Sequence, residues 1–299
     1  MRVVQRPDHR VRLDVLFAAR APVAVVLRRG PRLHFHLLLW NLADHSFTHG
    51  QWMKGTIELC DLSPDGGKLI YWARQWGSAG RRWRPEYEAQ RRAGTDGDPL
   101  LRDRLPTRYR KGRRVAKVPR YMRHLAPSPG AARRFNEGIW TAVSTPPWFS
   151  ALAIWPCFGH WTGGGAFVDG RTIVLNESRD AIVPKANVPI PRSLRVHAGL
   201  DPQDRHFRRQ AISAERPWPA GSEDRAMVER ALAGAGVRWF EFATERDGAL
   251  VFGCDGQIFR LADWRAVPPD AMLDRAERLT DLRDLSFTLR AAPPEAMRW

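Results

Sequence analysis

Two overlapping stretches, Glu245-Arg-Asp-Gly-Ala-Leu-Val-Phe-Gly-Cys254 and Cys254-Asp-Gly-Gln-Ile-Phe-Arg-Leu-Ala-Asp-Trp264, decide the fold class. Each places an Asp-Gly pair ahead of a short run of apolar, β-branched or aromatic residues. A tight hairpin needs positive φ at both central residues, which Gly accepts freely and Asp tolerates. The two pairs lie eight residues apart. Residues Trp239 to Ala243, Leu250 to Phe252 and Ile258 to Leu261 therefore read as three successive antiparallel strands.

The same signal recurs upstream, in Ser63-Pro-Asp-Gly-Gly-Lys-Leu-Ile-Tyr-Trp-Ala73 and in Phe167-Val-Asp-Gly-Arg-Thr-Ile-Val-Leu-Asn176. Ala24 to Leu27 and Leu33 to Trp40 read as strands, Ser46 to Gly55 as a glycine-punctuated return, and Thr56 to Asp61 as the lead into the first Asp-Gly turn. Roughly four strands before Gln75 suffice for one antiparallel sheet or propeller blade. Helices are expected to be few. Pro85 to Ala93 has proline at its start and Gly94 past its end. Ser222 to Leu232 opens on a capping serine and two acids, and Asp270 to Leu279 carries Met272, Ala276 and Leu279 at helical spacing. The expected class is mainly β, with antiparallel sheets arranged as an irregular or incomplete propeller and a few short helices.

The chain has 299 residues with 43% apolar and 27% charged residues, which excludes a disordered chain and allows a sizeable core. No apolar run approaches the ~20 residues that span a bilayer; Trp148 to Phe158 comes nearest. Arg12, Asp14 and Arg20 interrupt the apolar N-terminal stretch, which reads as strand rather than as a leader. Cys60, Cys157 and Cys254 lie about a hundred residues apart, fitting neither a metal clip nor a disulfide framework, so a reducing, cytoplasmic setting is expected. Each sits in an apolar strand context and reads as a buried small hydrophobe.

The charge is uneven. The net charge is +16, and residues Arg81 to Arg134 hold seventeen Lys and Arg against five Asp and Glu. Most of the excess is thus local, as a dedicated basic surface requires. An arginine-rich coding bias explains the 43 arginines against five lysines, but not their crowding into one segment. Six prolines break that segment, so the expected organisation is a β body formed by 1–80 and 135–299, with 81–134 inserted into it. Aromatics interleave with the bases, and the residues expected to bind nucleic acid are Arg81, Arg82, Trp83, Arg84, Arg108, Tyr109, Arg110, Lys111, Arg113, Arg114, Lys117, Arg120, Tyr121 and Arg123. Guanidinium forks match phosphates bidentately, and aromatic rings stack on unpaired bases. An acidic protein is the other expected partner, and a solvated basic loop the plain alternative.

Other clusters read more simply. His34 and His36 share one strand face, with Asp44, His45 and His49 close behind, which is raw material for a metal site or for a wetter sheet face. Glu58, Asp61, Asp65 and Lys68 hold the residue types of a metal-dependent nuclease, while Asp65 is also the turn residue. Gly163-Gly164-Gly165 precedes a strand rather than a helix, so it reads as a bend beside a bulky tryptophan. Trp140, Trp148, Trp155 and Trp161 read as packing. There is no Walker A loop, GxSxG elbow, HExxH, CxxC pair or post-strand GxGxxG. No cofactor is expected.

Several pieces carry a resemblance: Ala24-Val-Val-Leu-Arg-Arg-Gly30, His49-Gly-Gln-Trp-Met-Lys-Gly55, Cys60-Asp-Leu-Ser-Pro-Asp-Gly66, and Trp140-Thr-Ala-Val-Ser-Thr-Pro-Pro-Trp-Phe149 running on to Trp155-Pro156 and the three glycines. Together they resemble a family of uncharacterised bacterial proteins. The Ser-Pro-Asp-Gly turn with Lys68 to Trp72 resembles the repeat of WD40-like, TolB-type β-propellers. The resemblance implies a propeller-like fold and no activity. It also implies a short connection between Trp76 and Trp140, where this chain carries its basic segment. The expected function is a non-catalytic scaffold whose basic arm engages a polyanion, RNA or DNA, within a larger assembly. A metal-dependent enzyme acting on nucleic acid or a phosphoester, and an antidote-like partner of an acidic protein, are the alternatives.

Overall fold

The computed structural model describes residues 11–74, 107–110, 113–116, 139–157, 163–177, 182, 190–199 and 214–299. The expected helix Pro85 to Ala93 lies outside them.

The described residues form four sheets that pack face to face. The first contains β1 (Arg12–Ala18), β2 (Val23–Arg29), β3 (His34–Asn41) and β4 (Phe47–Lys54), an antiparallel meander whose free edge is extended by the two-residue β14 (Ala214–Glu215). The second holds β5 (Thr56–Leu62), β6 (Leu69–Arg74), β9 (Ile139–Ser144) and β10 (Ala151–Pro156) in the order β10-β9-β6-β5. The third holds β11 (Gly165–Phe167), β12 (Thr172–Leu175) and β13 (Arg195–Ala198), with β12 and β13 parallel. The fourth is the meander of β15 (Phe240–Arg246), β16 (Ala249–Cys254), β17 (Gln257–Leu261) and β18 (Glu277–Asp281). A separate hairpin, β7 (Thr107–Arg110) with β8 (Arg113–Ala116), belongs to the basic segment.

Alternation along the strands builds the stack. Leu16, Val25, Leu27 and Leu37 on one face of the first sheet meet Ile57, Leu59, Tyr71 and Ala142 of the second. Its other face, through Leu13, Val15, Val26 and Trp40, meets Phe242, Val251 and Ile258 of the fourth. The second sheet turns Ile70, Trp72 and Trp155 toward Phe167, Ile173 and Leu175 of the third. The outer face of the fourth is covered by Val228 and Leu232 of α1 (Glu223–Gly234). In spatial order the layers run helix, fourth sheet, first, second, third. The first strands lie at the centre: β1 touches β5 and β15, and β5 touches β11. The protein is mainly β, and its sheets form an open, propeller-like stack with each sheet's first strand at the axis.

The expected turns divide into two kinds. Asp247-Gly248 and Asp255-Gly256 have φ of 49° and 73°, and 48° and 74°, so both are two-residue hairpins with both residues left-handed. The other two are wider. At Asp65, Ser63 and Gly67 donate to the carboxylate while Ser63 and Lys68 close the loop. At Asp169, the amides of Arg171 and Thr172 donate to it. In both, Asp serves through its side chain and keeps an ordinary φ.

The helix at Ser222 is present, with Glu223 and Asp224 in its first turn, although the Ser222 hydroxyl makes no capping bond. The third expected helix is corrected. Only the 3-10 turn Pro269–Ala271 and α2 (Met272–Arg275) are helical; Ala276 is extended, and β18 pairs with β17 from Gln257↔Asp281 to Arg260↔Glu277. Completing the sheet's ladder overrides the helical spacing of Ala276 and Leu279. All three cysteines are free and buried.

Candidate functional site

The basic segment joins the body in an economical way. β6 and β9 are hydrogen-bonded neighbours, with Arg74 opposite Ile139, so the chain leaves and re-enters the second sheet at one place. Long insertions at such a site cost little, because closure entropy grows only logarithmically with length. Within the segment, the β7–β8 register sets Arg110 opposite Arg113 and Tyr109 opposite Arg114. Arg81, Arg82, Trp83, Arg84, Lys111, Lys117, Arg120, Tyr121 and Arg123 lie outside the described residues.

Among the described residues, Glu58, Asp61 and Asp65 do not join His34, His36, His45 and His49 in one cluster. Asp61 is buried and accepts backbone hydrogen bonds from Leu62 in its own sheet, Phe167 in the third and Ala214 beside the first, at 2.9, 2.7 and 2.8 Å. It is a structural tie between three sheets. A bulge between Leu59 and Asp61 puts it on this side; strict alternation would send it toward Tyr71. Lys68 donates to the Thr145 hydroxyl and lies over the Trp299 ring.

His36 is 2% exposed, so the histidine face is not a wet one. Its ring stacks on Trp52 with centroids 4.2 Å apart, and His49 lies at 5.2 Å. The C-terminal segment covers this face: buried Arg28 donates to the carbonyls of Leu282 and Arg283, Phe287 packs on His34, and Arg290 donates to the His49 carbonyl. Burial first, and then the neighbouring His49 and Arg28, push the His36 imidazole down to about 3. Among the described residues no group of three His, Cys, Asp or Glu is placed to hold a metal ion.

Gly163 and Gly164 adopt φ of 92° and 80°, a bend as expected, though the ring it abuts is Trp72. A Cβ on Gly163 would fall 2.5 Å from the Cys157 sulfur and 2.7 Å from Trp72, so only glycine fits.

One cleft was not foreseen. A cavity of about 330 Å³ opens where β1, β5 and β15 converge, lined by Leu13, Asp14, Val15, Leu16, Glu58, Leu59, Glu241 and Phe242 and closed by Arg216 to Trp218 and Arg225. Consecutive strand residues can line one cavity only when strands present their edges, and β14 pairs β1 only at Phe17 and Ala18. Arg216 donates to the carbonyls of Leu59 and Cys60, and Arg225 to those of Trp218 and Glu241. Asp14 reaches the water of the cleft, yet the protein atoms crowding it raise its carboxyl. Arg29 and Arg216 oppose that rise, and Glu58 adds to it. The sequence holds one signal for this place: Arg12 and Asp14 occupy the face that Leu16 and Ala18 continue, so cover from the second sheet stops there.

Comparison with protein-family models, curated proteins and solved structures finds no match to this chain. No helix among the described residues is long and apolar enough to cross a membrane.

Proposed function

We propose that the protein is a non-catalytic binding scaffold in which a rigid stack of sheets presents an arginine-rich arm to a nucleic acid. The observation that carries this reading is the local excess of positive charge: Arg81 to Arg134 hold seventeen Lys and Arg against five Asp and Glu. Crowded guanidinium groups suit a phosphate backbone, whose charges repeat along a line. The β7–β8 hairpin, which pairs Arg110 with Arg113, supports it. So does the joining of the arm at adjacent strand ends, which leaves the sheet's ladder intact. Tyr109 and the other aromatics of the segment favour unpaired bases. Three buried free thiols suit a reducing, cytoplasmic compartment, and the protein would act as one subunit of a larger assembly.

The test is a filter-binding titration of the full chain with single-stranded RNA, single-stranded DNA and duplex across a salt series. If about six phosphates are neutralised, affinity falls by roughly three decades between 50 and 200 mM salt. Absence of binding at low salt defeats the proposal, and selective retention of a strongly acidic protein after nuclease treatment replaces it with the protein-partner reading.

A further inference from the structure

Three strand edges converge at the axial cleft, and two of them are capped there. On β5, Arg216 donates to the carbonyls of Leu59 and Cys60. On β15, the Trp218 amide donates to the Ala243 carbonyl and Arg225 to that of Glu241. β1 is different. β14 pairs with it at Phe17 and Ala18, and the chain then leaves at Arg216 and Pro217, where proline has no amide to continue a ladder.

The register fixes which backbone groups this departure leaves. The Ala214 amide is spent on the Asp61 carboxylate, so Phe17↔Glu215 is the mutually bonded pair and Ala18↔Ala214 is not. Bonding alternates along an antiparallel strand. Leu13 and Val15 therefore aim their N–H and C=O groups off the same edge as Phe17, while Arg12, Asp14 and Leu16 aim theirs at β2. The bond from the Gly30 amide to the His34 carbonyl agrees: it turns Val26 and Arg28 toward β3 and leaves Val25, Leu27 and Arg29 for β1. Among the described residues nothing bonds to the edge groups of Leu13 and Val15. Both residues are buried, at 3% and 5% exposure, and buried backbone donors and acceptors are almost always paired. Here they meet a cavity of about 330 Å³.

Donors and acceptors that alternate over about 7 Å of strand are the complement of another extended backbone. An ion satisfies one kind of group and not the other. The rung at Phe17 is already filled in this way by β14. Arg216 to Trp218 and Arg225 close the cleft, and a volume at the small end of ligand pockets admits one short strand rather than the edge of a second sheet. The pleat sets the side chains, because opposed residues share a face. Leu13 and Val15 pack toward Phe242 and Val251 of the fourth sheet, so the residues opposite them are apolar. The residue between lies opposite Asp14, on the other face, and is polar.

We propose that the open edge of β1 receives a short extended segment of a partner protein, apolar-polar-apolar in pattern, which runs antiparallel to β1 in line with β14.

The experiment uses the full chain and the peptide acetyl-Val-Thr-Val-Thr-Val-amide, together with two singly N-methylated forms. Methylation of the central valine removes an amide that faces β1, and methylation of the first threonine removes one that faces away. The expected result is saturable one-to-one binding by calorimetry, at least about tenfold weaker for the valine form and within about threefold for the threonine form. Residue-resolved amide exchange locates the peptide. In the free chain the Leu13 and Val15 amides should exchange faster than those of Asp14 and Leu16, and they should slow at least about tenfold at saturation. Absence of saturable binding, equal loss with both methylated forms, slow exchange at Leu13 and Val15 in the free chain, or exchange there that the peptide leaves unchanged overturns the proposal.

Discussion

The arm and the axial cleft are opposites in construction. The arm is one contiguous segment, cationic, entering and leaving the second sheet between Arg74 and Ile139. The cleft is assembled from β1, β5, β15 and a strap near Trp218, elements separated by more than two hundred residues at the extremes, and most of its lining charges are acidic. The difference teaches that this fold keeps two kinds of surface apart: one set by charge counted along a single segment, the other by strand edges held in place by the whole stack.

The largest effect should come from attacking the stack alone. Asp61→Ala strips the acceptor from three backbone amides in different sheets. It should cost about 4 kcal/mol or more in urea unfolding. A variant with unchanged stability would refute the role of Asp61 as a tie. Attacking the arm alone comes next. Replacing Arg108, Arg110 and Arg113 together with Gln should weaken nucleic-acid binding about thirtyfold or more near physiological salt. The slope of log affinity against log salt should flatten by about 2 to 3, with no change in melting temperature.

A smaller test uses pH. His36 is neutral in the folded chain down to about 3 but titrates near 6.5 when unfolded. Below 6.5 the unfolded chain therefore binds the extra proton, and stability falls as pH drops. Between pH 7 and pH 5 the loss should be roughly 2 kcal/mol. His36→Phe, which keeps the stack on Trp52, should remove most of that slope and leave the arm's RNA affinity as it was. The smallest effect belongs to neither region: Arg265→Ala, which breaks a surface pair with Glu245, should leave the unfolding midpoint unchanged.

What could be read from sequence follows the same divide. The fourth sheet's first three strands were legible because two Asp-Gly pairs fix both turns and register. β18 was not, because Met272, Ala276 and Leu279 keep helical spacing while the edge of β17 demands a partner. The arm's excess charge could be counted directly, although the pairing of Arg110 with Arg113 needed the hairpin register. Asp61 was misleading: a one-residue bulge reverses its face, and nothing in Thr56 to Leu62 announces a bulge. Asp14 was visible only as an interruption among apolar residues. Its partners Glu58, Arg216 and Glu241 come together through sheet stacking, which no local pattern encodes.

The adjacency of Arg74 and Ile139 has an evolutionary consequence. Because the two ends of the excursion are already bonded partners, lineages can lengthen, shorten or recharge it without re-threading any blade. The scaffold and its basic segment can then drift under independent selection, much as an interchangeable tool is refitted to an unchanged handle.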